Sequence, residues 1–286
     1  MSKFTVACVQ TNSKPDPAVN IAEVSPMIRE AKARGAHFIT TPEIVGMFEP
    51  DKPAARAKAK VEEEHEVLIA FRGLAAELGV WLHVGSISVK LTDDDRLANR
   101  SFLIAPDGSI AARYSKIHMF DVQVGDGQTY RESASYKPGE EGVLTETPWG
   151  TLGLTICYDI RFPYLYRSLA QAGAKVLFAP AAFTKVTGEA HWHVLQRARA
   201  IENGCFVVSA AQCGTHAGGR QTYGHSIIVA PWGEVLADGG EEPGIITAEI
   251  DLAKVDEARG KVPSLTHDRD FAGPNLYDAA LREAGE

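Results

Sequence analysis

The sequence predicts an α/β protein of two similar halves, in which two sheets pack face to face with helices outside. Strand-like and helix-like segments alternate from Phe4 to Arg259 in a chain of 286 residues. A hairpin also recurs. Ser101-Phe-Leu-Ile-Ala-Pro-Asp-Gly-Ser-Ile-Ala-Ala112 and Ser226-Ile-Ile-Val-Ala-Pro-Trp-Gly-Glu-Val-Leu-Ala237 match position by position as strand, Pro-x-Gly turn, strand. Finally, residues 153–163 read as a strand that turns into a helix, with Cys157 at the corner.

Residues 4–10 alternate as a strand, and 20–34 have helical composition. Pro26 must kink or restart that helix, Ser25-Pro26 making a credible cap and first position, and Gly35 ends it. Residues 37–41 form a second strand running into Pro42-Glu43. In 60–78 the apolar Leu68, Phe71, Ala75 and Leu78 give one helical face, stopped by Gly79. Strands follow at 81–90 and 99–105, around a turn at 93–95. A third hairpin turn, Thr147-Pro-Trp-Gly150, leads into the cysteine strand. Pro163 opens a helix that runs to Gly173. Helices at 189–203 and 252–259, with strands at 175–179, 205–212 and 244–250, complete the alternation. Residues 117–142 and 214–222 have no obvious structure and are long enough to be functional loops.

The chain can bury a substantial core without disulfides or metal. Its 45% apolar and 23% charged residues are those of a soluble globular protein. A net charge of -8 argues against a general nucleic-acid or anionic-membrane surface, so the expected partner is a small molecule or another protein chain. Four cysteines without a C-x-x-C pair suit a reducing compartment and give no support to a zinc site. No apolar run of 18 residues and no signal-peptide pattern appears, so a cytoplasmic location is expected.

Cys157 at a strand-to-helix corner should be accessible, and a helix N-terminus nearby favours its thiolate; the competing reading is a small buried hydrophobe. Glu43 and Lys116 also follow strand-like segments, and strand ends gather on one rim of a layered sheet. A carboxylate can take a thiol proton and a lysine can stabilise an oxyanion; taken singly, each reads equally as a surface charge. Arg161, four residues beyond the cysteine, can grip a carboxylate bidentately or pair with Asp159. His191-Trp192-His193 invites a metal reading, but residues two apart on a helix point about 200° apart. No metal and no cofactor is expected.

Thr41-Pro-Glu-Ile, Tyr114-Ser-Lys-Ile-His-Met-Phe-Asp and Leu154-Thr-Ile-Cys-Tyr-Asp-Ile-Arg-Phe-Pro, in that order, resemble the carbon-nitrogen hydrolase (nitrilase) superfamily. The resemblance runs from Lys3 to about Tyr277 and implies a four-layer αββα sandwich, with the repeated hairpin marking an internal pseudo-twofold. One domain over 1–286 is expected, residues after about 262 forming a C-terminal tail. The resemblance makes Cys157 the nucleophile, Glu43 the general base and Lys116 the oxyanion partner, together with the backbone N–H of Tyr158. Glu132, in Tyr130-Arg-Glu-Ser, would position substrate and Lys116. Phe183 and His191 would line the pocket. The implied reaction hydrolyses a small carboxylate-bearing amide to an acid and ammonia through a cysteine thioester, in a homodimer or higher homo-oligomer. Lys116-Ile-His-Met-Phe-Asp-Val, Ala211-Gln-Cys-Gly and Gln221-Thr-Tyr-Gly-His-Ser resemble the Nit subfamily, most closely its deaminated-glutathione amidase branch. The ω-amidase, N-carbamoyl amino acid and nitrilase branches stay open, as does a non-catalytic binding protein on the same fold. Thr41, where that pattern usually has Leu, and the unfamiliar segment 44–48 are its departures. A cysteine protease would need a histidine base and has no Cys-Gly-Ser-Cys-Trp run here.

Overall fold

The computed structural model describes residues 3–125 and 127–273. Alternation in β1 (Lys3–Gln10) sends Phe4, Val6 and Cys8 to one side and Ala7 and Val9 to the other, and both sides are buried. Such a strand belongs in the middle of a layered structure. Helix α1 (Pro17–Ala33) starts before the expected Asn20, because Asp16 accepts the Ala18 N–H at 2.9 Å and Pro17 takes the first turn. Pro26 therefore lies inside one helix rather than restarting it. After β2 (Phe38–Thr40) and the short α2 (Lys52–Lys58), residues 62–64 form a separate 3₁₀ turn, so α3 (Glu66–Leu78) begins later than 60. It ends as expected on Gly79, at φ 61.

Strand β3 (Trp81–Lys90) leads to the hairpin β4 (Leu97–Ile104) and β5 (Ile110–Ser115). The expected loop 117–142 contains a small hairpin, β6 (Asp121–Gln123) with β7 (Thr129–Arg131). Next come β8 (Val143–Thr147), β9 (Gly150–Leu154), α4 (Pro163–Gln171) and β10 (Val176–Phe178). Helix α5 (Lys185–Asn203) opens before Glu189 and is followed by β11 (Phe206–Ser209). A further hairpin, β12 (Cys213–Thr215) with β13 (Gln221–Tyr223), occupies the other expected loop. The second copy of the repeated hairpin is β14 (Ile227–Val229) and β15 (Val235–Asp238), followed by β16 (Gly244–Asp251) and α6 (Ala253–Lys261). The expected tail opens with a short turn, Ser264–Thr266, and its part beyond 273 lies outside the described residues.

The two large sheets run β16-β1-β2-β3-β4-β5 and β15-β14-β11-β10-β9-β8. In each, three adjacent parallel strands are flanked by antiparallel ones: β1, β2 and β3 in the first, β9, β10 and β11 in the second. The repeated hairpins close equivalent edges of the two sheets. Between the sheets Phe38 stacks on Phe178, ring centroids 4.8 Å apart, and Phe4 on Trp149 at 4.5 Å. A second apolar layer joins Ala7, Val9, Val84 and Phe102 of the first sheet to Val24, Ile28 and Phe71 of α1 and α3. Leu165 and Leu169 of α4 and Ala200 of α5 cover the second sheet. The order of layers is helix, sheet, sheet, helix, the αββα sandwich.

His83 in β3 is fully buried, with Nδ1 2.8 Å from Thr40 Oγ1 and Nε2 2.7 Å from Ser101 Oγ. Burial holds its pKa down at about 3. Between that value and the unfolded value near 6.5, the unfolded chain takes a proton that the folded one refuses, so stability falls as pH falls. The slope is about 1.4 kcal/mol per pH unit for one such group. Chemical denaturation at pH 7 and pH 5 should show the wild type losing about 2 kcal/mol more than His83→Gln. Equal losses would remove His83 from the acid sensitivity.

Candidate active site

The parallel strands of both sheets end on one rim, and their following residues converge there. Glu43 follows β2, Lys116 follows β5 and Cys157 follows β9. All three are buried, at 4%, 2% and 6% exposure. Gly85 in β3 permits the approach of the Glu43 segment: a Cβ there would stand 2.0 Å from the Thr41 carbonyl oxygen. Two backbone conformations at the rim are unusual. Ile44 (φ 48) and Cys157 (φ 49) are non-glycine residues in the left-handed region, each costing about 1–3 kcal/mol. The strain at Cys157 is held by the Cys157 N–H donating to the Pro180 carbonyl at 2.9 Å. Buried Asp159 holds the turn beyond it, accepting from the Ile156 N–H at 2.8 Å and the Tyr114 hydroxyl at 2.7 Å.

Lys116 Nζ donates to Glu43 Oε1 at 2.9 Å and to both Glu132 oxygens, at 3.0 and 2.8 Å. Asn99 Nδ2 bridges the same carboxylates, at 2.9 and 3.1 Å. The Ala182 N–H donates to Glu43 Oε2 at 2.8 Å, and the Phe120 N–H to Glu132 Oε2 at 2.7 Å. Burial alone would push the Glu43 carboxyl up, but the Lys116 ammonium and the Ala182 N–H outweigh it and hold Glu43 below the usual carboxylate range. Burial alone would lower Lys116; Glu132 and Glu43 reverse that and keep it charged. Burial, and then the negative Glu43, push the Cys157 thiol well up. The thiolate favoured by a helix N-terminus is therefore not the resting form. A one-turn 3₁₀ segment, Cys157–Arg161, separates the cysteine from α4, and its thiol is buried rather than displayed. At rest the site holds a neutral thiol beside an ionised carboxylate.

A cavity of about 570 Å³ opens above these groups. Glu132, Tyr158 and Phe183 line it with the three central residues, while Arg161, His191 and His118 stand outside its wall. The Arg161 guanidinium lies 5.2 Å from the Phe183 ring and 5.9 Å from that of Tyr158, with Nη2 3.2 Å from His191 Nδ1. Helix α5 opens at Lys185, so His191 lies well inside it and is exposed. His193 turns to a different partner, Asp238, which also binds His225; their ligand atoms lie within 4.8 Å of one another. Sequence reasoning missed Asn99 and the Ala182 N–H. The signal for Asn99 was an amide in the strand that leads, through its hairpin partner, to Lys116; a backbone donor has no signal.

Two sheets between helices thus place this cavity at their strand ends, over the buried cluster of Lys116, Glu43 and Glu132. The chain belongs to the carbon-nitrogen hydrolase family, which it matches over residues 5–260. It is 40% identical over 270 residues to the deaminated glutathione amidase of Synechocystis sp., covering 93% of this chain and 98% of that protein. The Saccharomyces cerevisiae Nit3, a member of branch 10 of the nitrilase superfamily, is 31% identical with a TM-score of 0.84, over 94% of this chain and 97% of that one. The C. elegans NitFhit protein is 38% identical with a TM-score of 0.88; 94% of this chain is covered, and it spans 66% of that one.

Proposed function

We propose that the chain is a thiol amidase of the deaminated-glutathione amidase type, with Glu43, Lys116 and Cys157 as its catalytic residues. The observation that carries this is the buried cluster of Lys116 between Glu43 and Glu132, beside a strained cysteine on the cavity floor. In this reading Glu43 takes the Cys157 proton as sulfur attacks the amide carbonyl. The oxyanion is held by the Lys116 ammonium and the Tyr158 N–H. Protonated Glu43 gives its proton to the departing nitrogen, leaving a thioester. Water, deprotonated by Glu43, then cleaves the thioester and releases a carboxylic acid. The nitrogen leaves as ammonia from a primary amide and as the amine from a substituted one; for the γ-amide of deaminated glutathione that amine is cysteinylglycine. A cavity of about 570 Å³ suits a substrate of this size.

Self-association of subunits belongs to the same reading, supported by exposed Val194 (68%), Ile201 (53%) and Trp232 (55%). Unpaired Cys8, Cys157, Cys205 and Cys213 support a reducing, cytoplasmic setting. No helix among the described residues is long and apolar enough to cross a membrane.

The test is acid release from a panel of deaminated glutathione, α-ketoglutaramate, N-carbamoyl amino acids and simple nitriles. Deaminated glutathione should show the highest kcat/KM. Preference for another amide would discard the branch and keep the chemistry, and silence on every compound would favour a binding protein.

A further inference from the structure

We infer that Arg220 is the residue that recognises a carboxylate of the substrate, which rests on the amidase reading above. Arg220 precedes β13 and lines the cavity. Its guanidinium lies between two aromatic rings of the same wall, 5.2 Å from Phe48 and 5.2 Å from Tyr130. Nη2 donates to the Ala182 carbonyl at 2.8 Å, and the N–H of that same residue binds Glu43. The planar group is thus fixed in place next to the reacting centre. Its Nε is buried and has no acceptor.

Charge bookkeeping points the same way. On the same walls Arg56 pairs with Asp95, Arg96 with Asp94, and Lys116 with Glu43 and Glu132. Lys52 and Arg131 are exposed. Half-buried Arg220 has no carboxylate partner among the described residues, in a chain whose net charge is -8. A buried N–H without an acceptor is costly, and a rigid guanidinium fork matches a carboxylate. A substrate carboxylate reaching the guanidinium from the cavity supplies the missing counter-charge. Arg161, the sequence candidate for this role, stands outside the wall.

The test compares wild type, Arg220→Gln and Arg220→Lys on deaminated glutathione, on its glycinamide form, and on α-ketoglutaramate. Arg220→Gln should raise KM about tenfold to a hundredfold, the loss of a charge-assisted hydrogen bond, with kcat changed far less. Arg220→Lys should recover part of the loss. A rise on all three compounds places the recognised carboxylate on the acyl side, and a rise on deaminated glutathione alone places it on the amine side. Unchanged KM on all three, or a loss confined to kcat, overturns the inference. Calorimetric titration with glutarate separates the two readings. If wild type hydrolyses nothing, the amidase reading fails; glutarate binding lost in Arg220→Gln still upholds the carboxylate site, and equal binding, or none to either protein, removes it.

Discussion

Lys116→Met should abolish activity and cost about 3–5 kcal/mol of stability at neutral pH, the range for a buried charge cluster that loses one partner. The reason lies in the count of charges. Lys116 is one ammonium between two carboxylates, with side-chain exposures of 2%, 5% and 13% for Lys116, Glu43 and Glu132. Removing it leaves two negative groups facing one another across Asn99, whose amide can donate to both but carries no charge. Their pKa values in the folded variant should then rise above the unfolded ones. Such groups bind protons more readily folded than unfolded, so the variant's deficit relative to wild type should shrink as pH falls from 7.5 towards 5, the loss through His83 being common to both. Thermal melts at pH 7.5 and pH 5 read this directly. A variant that melts as wild type does, or whose deficit is the same at pH 7.5 and pH 5, would mean the cluster is not the electrostatic unit described.

Cys157→Ala should lower turnover by at least about 10⁴-fold, since no other group can form the thioester and residual rate would come only from binding and the oxyanion site. Its stability should stay within about 1 kcal/mol of wild type, because a single sulfur is lost and its buried site has a cavity to relax into. The resting thiol is neutral, so its loss removes no charge from the cluster and the melting temperature should change little. Circular dichroism with a melt, beside steady-state kinetics, checks both halves.

The strand and helix order was legible because apolar periodicity and Pro-x-Gly turns are local signals. Phe4, Val6 and Cys8 against Ala7 and Val9 read at period two, and the hairpins at 101–112 and 226–237 announce the internal repeat. Element starts were less legible. Asp16 outcompeted Ser25 as a cap, and Pro26 was absorbed within a continuing helix. Glu43, Lys116 and Cys157 were nameable only through their motifs, since nothing in one strand says which other strand end it will meet. Asn99, the Ala182 N–H and Arg220 come from three separate segments, and only the folded sheet order gathers them round Glu43. Arg161 shows the converse. Its place four residues after the cysteine suggested the pocket, yet the 3₁₀ turn aims it at Phe183 and His191.

Peptide mapping of wild-type protein quenched during turnover of deaminated glutathione tests the acyl-enzyme most directly. The account predicts a base-labile acyl adduct on the peptide holding Cys157, and none on those holding Cys8, Cys205 or Cys213. Steady turnover with no adduct there, or the same adduct on another residue, would contradict it.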